Sequence, residues 1–273
     1  MSTEASTVQV LPASKALPKT ARIKVSEDLF LYIALPVLIL ILWEILARLQ
    51  IFPPALLPPV EKVVSTFIGQ IQNGELFGDV SISLLRVIKG YSLAVLLGIT
   101  FGVLMGISLR TNKFFTIVFD GIRQIPPLAW IPLIILWFGI GEVSKVVIIV
   151  KSAFFPILLN TINGIRATPK SYIEVAQLYN ISKFDLFKKV YFPAAIPSIF
   201  VGLRLSLGAA WMTVVAAELI AASSGIGYRI NDARTLMASD LVMVGMAVIG
   251  TIGILMDLAL KRIARRFTKW QAS

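Results

Sequence analysis

The sequence predicts an all-α polytopic membrane protein with six transmembrane helices. Three observations predict it. The 273 residues are 57% hydrophobic, above the roughly 45–50% usual for a soluble domain, and the mean hydropathy is +0.83. Six apolar stretches are long enough to span a bilayer. Lysine and arginine are also distributed unevenly among the segments between those stretches.

Residues 1–28 are polar, poor in aromatics and carry Lys15, Lys19, Arg22 and Lys24. They predict a disordered cytoplasmic arm. Residues 29–262 form the membrane domain, and 263–273 a basic cytoplasmic tail. The first span runs from Leu29 to Ala47. No small-residue cleavage site follows it, so it reads as a span and not a signal peptide. Trp43 and Glu44 fall at its outer interface. Phe52 to Pro59 is too proline-rich for helix. An amphipathic surface helix starts near Pro59, with an apolar stripe through Val60, Val63, Val64, Phe67, Ile68 and Ile71, and ends at Asn73-Gly74.

The second span covers about Leu84 to Leu109. Gly98, Gly102 and Gly106 recur every fourth residue in it. Small-xxx-small spacing lets helices approach closely, although glycines are also scattered through membrane helices without such a role. After the basic turn Arg110–Lys113, the third stretch reaches about Ile140 and includes Pro126, Pro127 and Pro132. Each proline removes a backbone donor, so a broken helix is expected, packed on protein or lining a cavity. Gly139-Ile140-Gly141 makes the outer turn. The remaining spans are about Val143 to Ile165, Ala195 to Ala222 and Leu241 to Leu260.

Between the fourth and fifth spans lies EVAQLYNISKFDLFKKVYFP, Glu174 to Pro193. Thr168-Pro169 can open a helix, with Thr168 as N-cap. Ser171 and Glu174 have capping-box spacing. Asn180 sits where a left-handed C-cap belongs. Ser182 can cap a second helix with Asp185 in its first turn. Pro193 and Pro197 bracket the entry to the next span. The unit reads as a helix–turn–helix outside the lipid. The second helix has an apolar stripe of Phe184, Phe187 and Tyr191.

Six spans put both termini on one side. The arm, the 110–113 turn, the 166–189 region and the tail hold sixteen of the 26 lysines and arginines. The opposite segments hold seven, Arg86 among them, and three (Arg123, Lys151, Arg204) lie within spans. The positive-inside rule places the termini and the 168–193 loop in the cytoplasm. The formal charge of +11 therefore reflects topology, and no aromatic-plus-basic nucleic-acid motif accompanies it. The absence of cysteine and histidine excludes thiol chemistry and removes the usual general base and metal ligand. No phosphate-binding glycine loop is present. Any ATP is bound by another chain.

The spacing Glu174-Val175-Ala176, Asn180, Val190-Tyr191-Phe192-Pro193 resembles the EAA loop of binding-protein-dependent ABC importer permeases. It departs from that pattern at Val175, Val190 and Phe192, all apolar, and at Asn180, which replaces glycine. PPLAWIPLIILWFGIGEVSK (126–145), FFPILLNTINGI (154–165), GLRLSLGAAW (202–211) and AAELIAASSGIGY (216–228) look like the nitrate/sulfonate/taurine group. The WFGIGE stretch is most similar to the aliphatic-sulfonate and taurine branch. The resemblance covers roughly residues 29–270. It implies a type I ABC importer permease fold in a bacterial cytoplasmic (inner) membrane. It also implies a homodimer, two ATP-binding cassette subunits holding ATP and Mg, and an extracytoplasmic solute-binding protein. No cofactor or metal is implied on this chain, and no catalytic residue. Glu174, Val175, Ala176, Asn180, Val190, Phe192 and Pro193 become the expected ATPase-coupling residues.

Charged residues within spans merit a functional reading, because each costs about 2.5–3.5 kcal/mol at the bilayer centre. Asn160, Arg204, Trp130 and Glu218 are candidates for the translocation path. For Arg204, snorkelling or a structural pair is an equal alternative. Glu218 favours a structural pair or outer gate. Lys151 and Asn160 are nine residues, about 2.5 turns, apart, so only one can face a narrow path, and Asn160 is preferred. Asp257 and Lys261 read as an i,i+4 pair. Competing readings are a nitrate, bicarbonate or other small-solute permease, and an ion-coupled secondary transporter using Glu44, Glu218 or Asp257 as proton relays.

Overall fold

The computed structural model describes residues 25–268. Most of the expected polar arm and the end of the basic tail lie outside the described residues. Among the described residues all regular structure is helical. Helix α1 covers Val25–Arg48 and α2 Val60–Gln72. Glu44 joins them: its Oε2 accepts the Val60 N–H at 3.0 Å, and the Trp43 Nε1–H donates to Pro58 O at 3.0 Å. A carboxylate thus satisfies a free N–H at the start of α2.

Helix α3 is one unbroken rod, Glu75–Ile107. It starts at Glu75, two turns before the expected Leu84, and Arg86, counted from the sequence among the segments opposite the 168–193 loop, is 2% exposed within it. Helix α4, Leu109–Gln124, is followed by a 3-10 turn, Pro127–Trp130, and then α5, Ile131–Phe138. The α4 axis and the Pro127–Phe138 segment are bent by 92°, which is the break the three prolines predict. Helix α6 is Glu142–Arg166.

Helix α7, Lys170–Leu178, lies before the short α8, Lys183–Leu186. A π turn at Phe187–Tyr191 then runs directly into α9, Phe192–Ala221. The expected second helix is therefore the lower end of the fifth span. Pro193 does not interrupt it, because proline is tolerated in a first helical turn. Helix α10, Ile226–Thr235, precedes α11, Ser239–Phe267, which extends into the expected tail.

Among the described residues four helices are long and apolar enough to cross a membrane: α3, α6, α9 with its run-in from Lys183, and α11. The bent pair makes a fifth if it counts as one broken span.

The core is the α3–α6–α9 stack, centred on Ala94, Ile149, Ala153, Ile157, Ala210 and Val214. Glycine makes the α3–α6 approach possible. A Cβ at Gly98 would lie 2.9 Å from Ile157, and one at Gly102 would lie 2.5 Å from the Thr161 Cβ. The four-residue glycine spacing is therefore a packing seam. Gly90 extends it, facing Ile149. On the other side of α6, Gly202 of α9 packs on Pro156 and Asn160.

Candidate functional site

Two groups of residues stand apart from ordinary packing. The first is the unit between α6 and α9. Pro169 starts α7, and no side chain caps it. The expected Thr168 cap and the Ser171–Glu174 capping box do not form, and the Thr168 hydroxyl is buried without a partner. Asn180 adopts φ +51°, the left-handed conformation asparagine tolerates. That turn lets the Asn180 N–H reach Gln177 O at 2.9 Å. Ser182 Oγ accepts the Asp185 N–H at 3.1 Å, so the second cap forms as expected.

The side chains of this unit divide by role. Ala176 is buried, Tyr191 packs with Ile165, Ala195 and Ile199, and Phe187 lies 5.8 Å from Phe192. These fix the unit to the bundle. Val190 and Pro193 are partly buried in the helical run, and Phe192 lies at its margin. Tyr172, Val175, Leu178, Tyr179 and Phe184 are instead exposed, Leu178 by 82% and Tyr179 by 79%. Glu174 lies among them, exposed, with no ion pair among the described residues. Five exposed large apolar side chains around one free carboxylate form a surface suited to a partner's groove.

The second group is a buried charge network at the opposite end of the bundle. Arg86 donates to Glu142 at 2.6 Å, to Glu218 at 2.7 Å, to Ser224 O at 2.8 Å and to Ser224 Oγ at 2.9 Å. Glu218, 1% exposed, also accepts from Ser83 Oγ at 2.9 Å and from the Gly227 N–H at 3.0 Å. Asp79 accepts the Gly225 N–H at 3.1 Å and pairs with Arg229. Gly225 has φ +104°, and a Cβ there would lie 2.5 Å from Glu218 Oε1. Only glycine fits that approach. The network ties α3, α6 and α9 to the turn before α10. Every member has a partner, which is what makes a buried charge tolerable.

The four path candidates are not brought together. Glu218 is in the network above. Arg204 pairs with Asp257, which also holds Lys261 at 2.9 Å. The Asn160 amide donates to Pro156 O at 2.8 Å within its own helix. Trp130 sits on the broken segment with its Nε1 buried and unpartnered. Lys151 lies 5.5 Å over the Trp130 ring and donates to Ile125 O beside the proline break. So Lys151, and not Asn160, faces the broken segment. Sequence reasoning missed Arg86, Asp79, Ser83 and Glu142. The signal was available for three of them: Asp79, Ser83 and Arg86 are spaced four and three apart, one face of a helix. Glu142 carried none. Among the described residues no cluster of potential metal ligands occurs.

Comparison with known proteins concerns the chain as a whole. Residues 94–269 match the family described as binding-protein-dependent transport system inner membrane component. The chain is 40% identical to the putative aliphatic sulfonates transport permease protein SsuC of Bacillus subtilis, over 88% of this chain and 87% of that one. It is 36% identical to the taurine transport system permease protein TauC of Escherichia coli, covering 90% and 91%. It is 35% identical to the nitrate import permease protein NrtB of Leptolyngbya laminosa, covering 70% and 68%. Among solved structures, a chain of the inward-facing MetNI methionine ABC transporter superposes with TM-score 0.62 at 18% identity, covering 73% of this chain and 99% of that one. That likeness establishes the fold alone.

Proposed function

This chain belongs to the binding-protein-dependent transport system inner membrane components, and from that premise we propose that it carries organic sulfonates across the membrane. It is the permease subunit of an ABC importer, a transport subunit and not an enzyme. Permeases of this kind work with ATP-binding subunits and a solute-binding protein. The finer reading concerns substrate, assembly and coupling. The substrate class is a small sulfonate such as taurine or a short alkanesulfonate. The sulfonate and taurine relatives are matched over nearly the whole chain, while the nitrate relative is matched over less of it.

The assembly in this proposal is two copies of this chain with two ATPases below and the binding protein outside. Both termini are cytoplasmic, in line with the lysine and arginine asymmetry. Helix α1 and the broken α4–α5 segment complete six spans.

The observation that carries the coupling assignment is the surface of the α7–α8 unit: five exposed apolar side chains around the unpaired Glu174. Such a patch, at the end where positive charge accumulates, fits a groove on an ATPase. The carboxylate adds charge-assisted bonds to basic residues there. Closure of the ATPases then moves α7, and the unbroken run from Lys183 into α9 transmits that motion as a rigid lever.

The secondary-transporter reading needs a carboxylate free to exchange protons. Glu44 holds the start of α2, Glu218 holds Arg86, and Asp257 holds Arg204. Each is occupied structurally. Calorimetric titration of the partner solute-binding protein with taurine, short alkanesulfonates and nitrate tests the substrate. Sulfonate binding without nitrate binding supports the proposal, and nitrate binding alone overturns it.

A further inference from the structure

Near the far end of the α9–α11 seam lies a cavity of about 410 Å³. Its walls combine Phe200, Val201 and Leu260 with three cations, Arg204, Lys261 and Arg265. One carboxylate, Asp257, serves both Arg204 and Lys261. Arg265 has no carboxylate partner among the described residues. The site therefore holds a surplus of positive charge beside aromatic and aliphatic surface. Its depth is fixed by α11: Lys261 lies 22 residues after Ser239, roughly 33 Å along the helix. That is about the thickness of the hydrocarbon core, so the cations sit at a headgroup level.

The seam continues toward the membrane centre. A second, smaller cavity shares Arg204 with the first and is lined by Leu207, Gly208, Trp211, Gly253 and Asp257. Gly208 lines it, and a Cβ there would meet nothing within 4 Å, so this glycine does not serve helix contact as Gly98 and Gly102 do. It leaves a narrow, mostly apolar extension of the seam beside the cations.

We propose that this seam is a binding site for an anionic phospholipid. The phosphate lies against Lys261 and Arg265, and one acyl chain runs past Phe200 and Val201 into the glycine-lined channel. Charge complementarity selects the headgroup, since basic pockets at helix ends attract anionic lipid. The apolar channel selects a lipid over a free anion. Assignment to the cytoplasmic leaflet rests on the orientation proposed above, whereas lipid retention itself does not depend on orientation or on the transported substrate. Arg204, bound to Asp257 on the wall of both cavities, becomes part of this site and not of the substrate path.

The test uses the intact transporter complex in detergent with equal amounts of dioleoylphosphatidylglycerol and dioleoylphosphatidylcholine, read by native mass spectrometry. Wild type is expected to retain phosphatidylglycerol preferentially. Lys261→Gln/Arg265→Gln is expected to lose about thirtyfold of that preference. Arg262→Gln/Arg266→Gln removes the same charge outside the cavity and is expected to retain it. Gly208→Leu fills the channel, leaves every charge in place, and is expected to lower retention as well. Equal retention of both lipids by wild type, or wild-type retention in both cavity variants, would overturn the proposal. So would displacement of the lipid by inorganic phosphate but not by chloride at equal ionic strength, which would mark the site as one for a free anion.

Discussion

Arg86→Met is the sharpest probe of the buried charge network. The side chain it removes uses all its donors, on Glu142, Glu218 and the Ser224 hydroxyl and carbonyl. Methionine of similar length leaves no large cavity, so the effect is electrostatic. The Glu142 side chain is 55% exposed and can be rehydrated, so its share of the loss is small. The Glu218 side chain is 0% exposed, and its carboxylate is left buried without its cation. Removing one partner of a buried pair costs about 3–5 kcal/mol. On the soluble-protein scale that lowers the melting temperature by roughly 10 °C. The assay is thermal unfolding of the purified complex in detergent, followed by tryptophan fluorescence. Arg86→Met/Glu218→Gln should recover more than half the loss, because glutamine still accepts from Gly227 and Ser83 without carrying a charge. Melting of Arg86→Met within about 2 °C of wild type, or a double variant worse than the single, would refute the reasoning.

The remaining predictions concern the seam and the coupling unit. Gly102→Leu must push α6 away at Thr161 and should cost about 1–3 kcal/mol or more, whereas Gly78→Ala, with open space around it, should melt as wild type does. Glu174→Lys should abolish uptake and loosen ATPase co-purification while expression in the membrane is unchanged; normal uptake would sink the coupling assignment. Asn180→Ala forces a side chain without local hydrogen bonding into φ +51° at about 1–2 kcal/mol. It should weaken coupling, measured as ATP hydrolysed per solute imported, and Asn180→Gly should restore it.

Much of this architecture was legible because membrane sequences obey strong local rules. The turn at Gly139 to Gly141, the break at Pro126-Pro127 and the end of α2 at Asn73-Gly74 each follow from backbone chemistry at single residues. Asn180 and Ser182 formed the turn and cap their side chains allow. Thr168 did not, because Pro169 took the cap position and the Thr168 side chain was buried. The largest miss was Arg86. Hydropathy began α3 at Leu84 and left Arg86 within the span without a partner. A buried arginine is tolerated only with partners, and Glu142, Glu218 and Ser224 lie 56, 132 and 138 residues away in sequence. No local window contains that information. Lys151 was set aside in favour of Asn160 by depth along the helix. That Lys151 contacts Trp130 and Ile125 depends on where the broken segment folds back, which is tertiary.

ATP-dependent uptake in proteoliposomes containing this permease, its ATPase and its binding protein tests the central claim most directly. Labelled taurine, a short alkanesulfonate and nitrate are compared, with and without ATP and with the proton gradient dissipated. The account predicts sulfonate uptake that requires ATP, survives loss of the gradient and disappears in Glu174→Lys. Uptake that proceeds without ATP and collapses with the gradient, or that accepts nitrate alone, would contradict it.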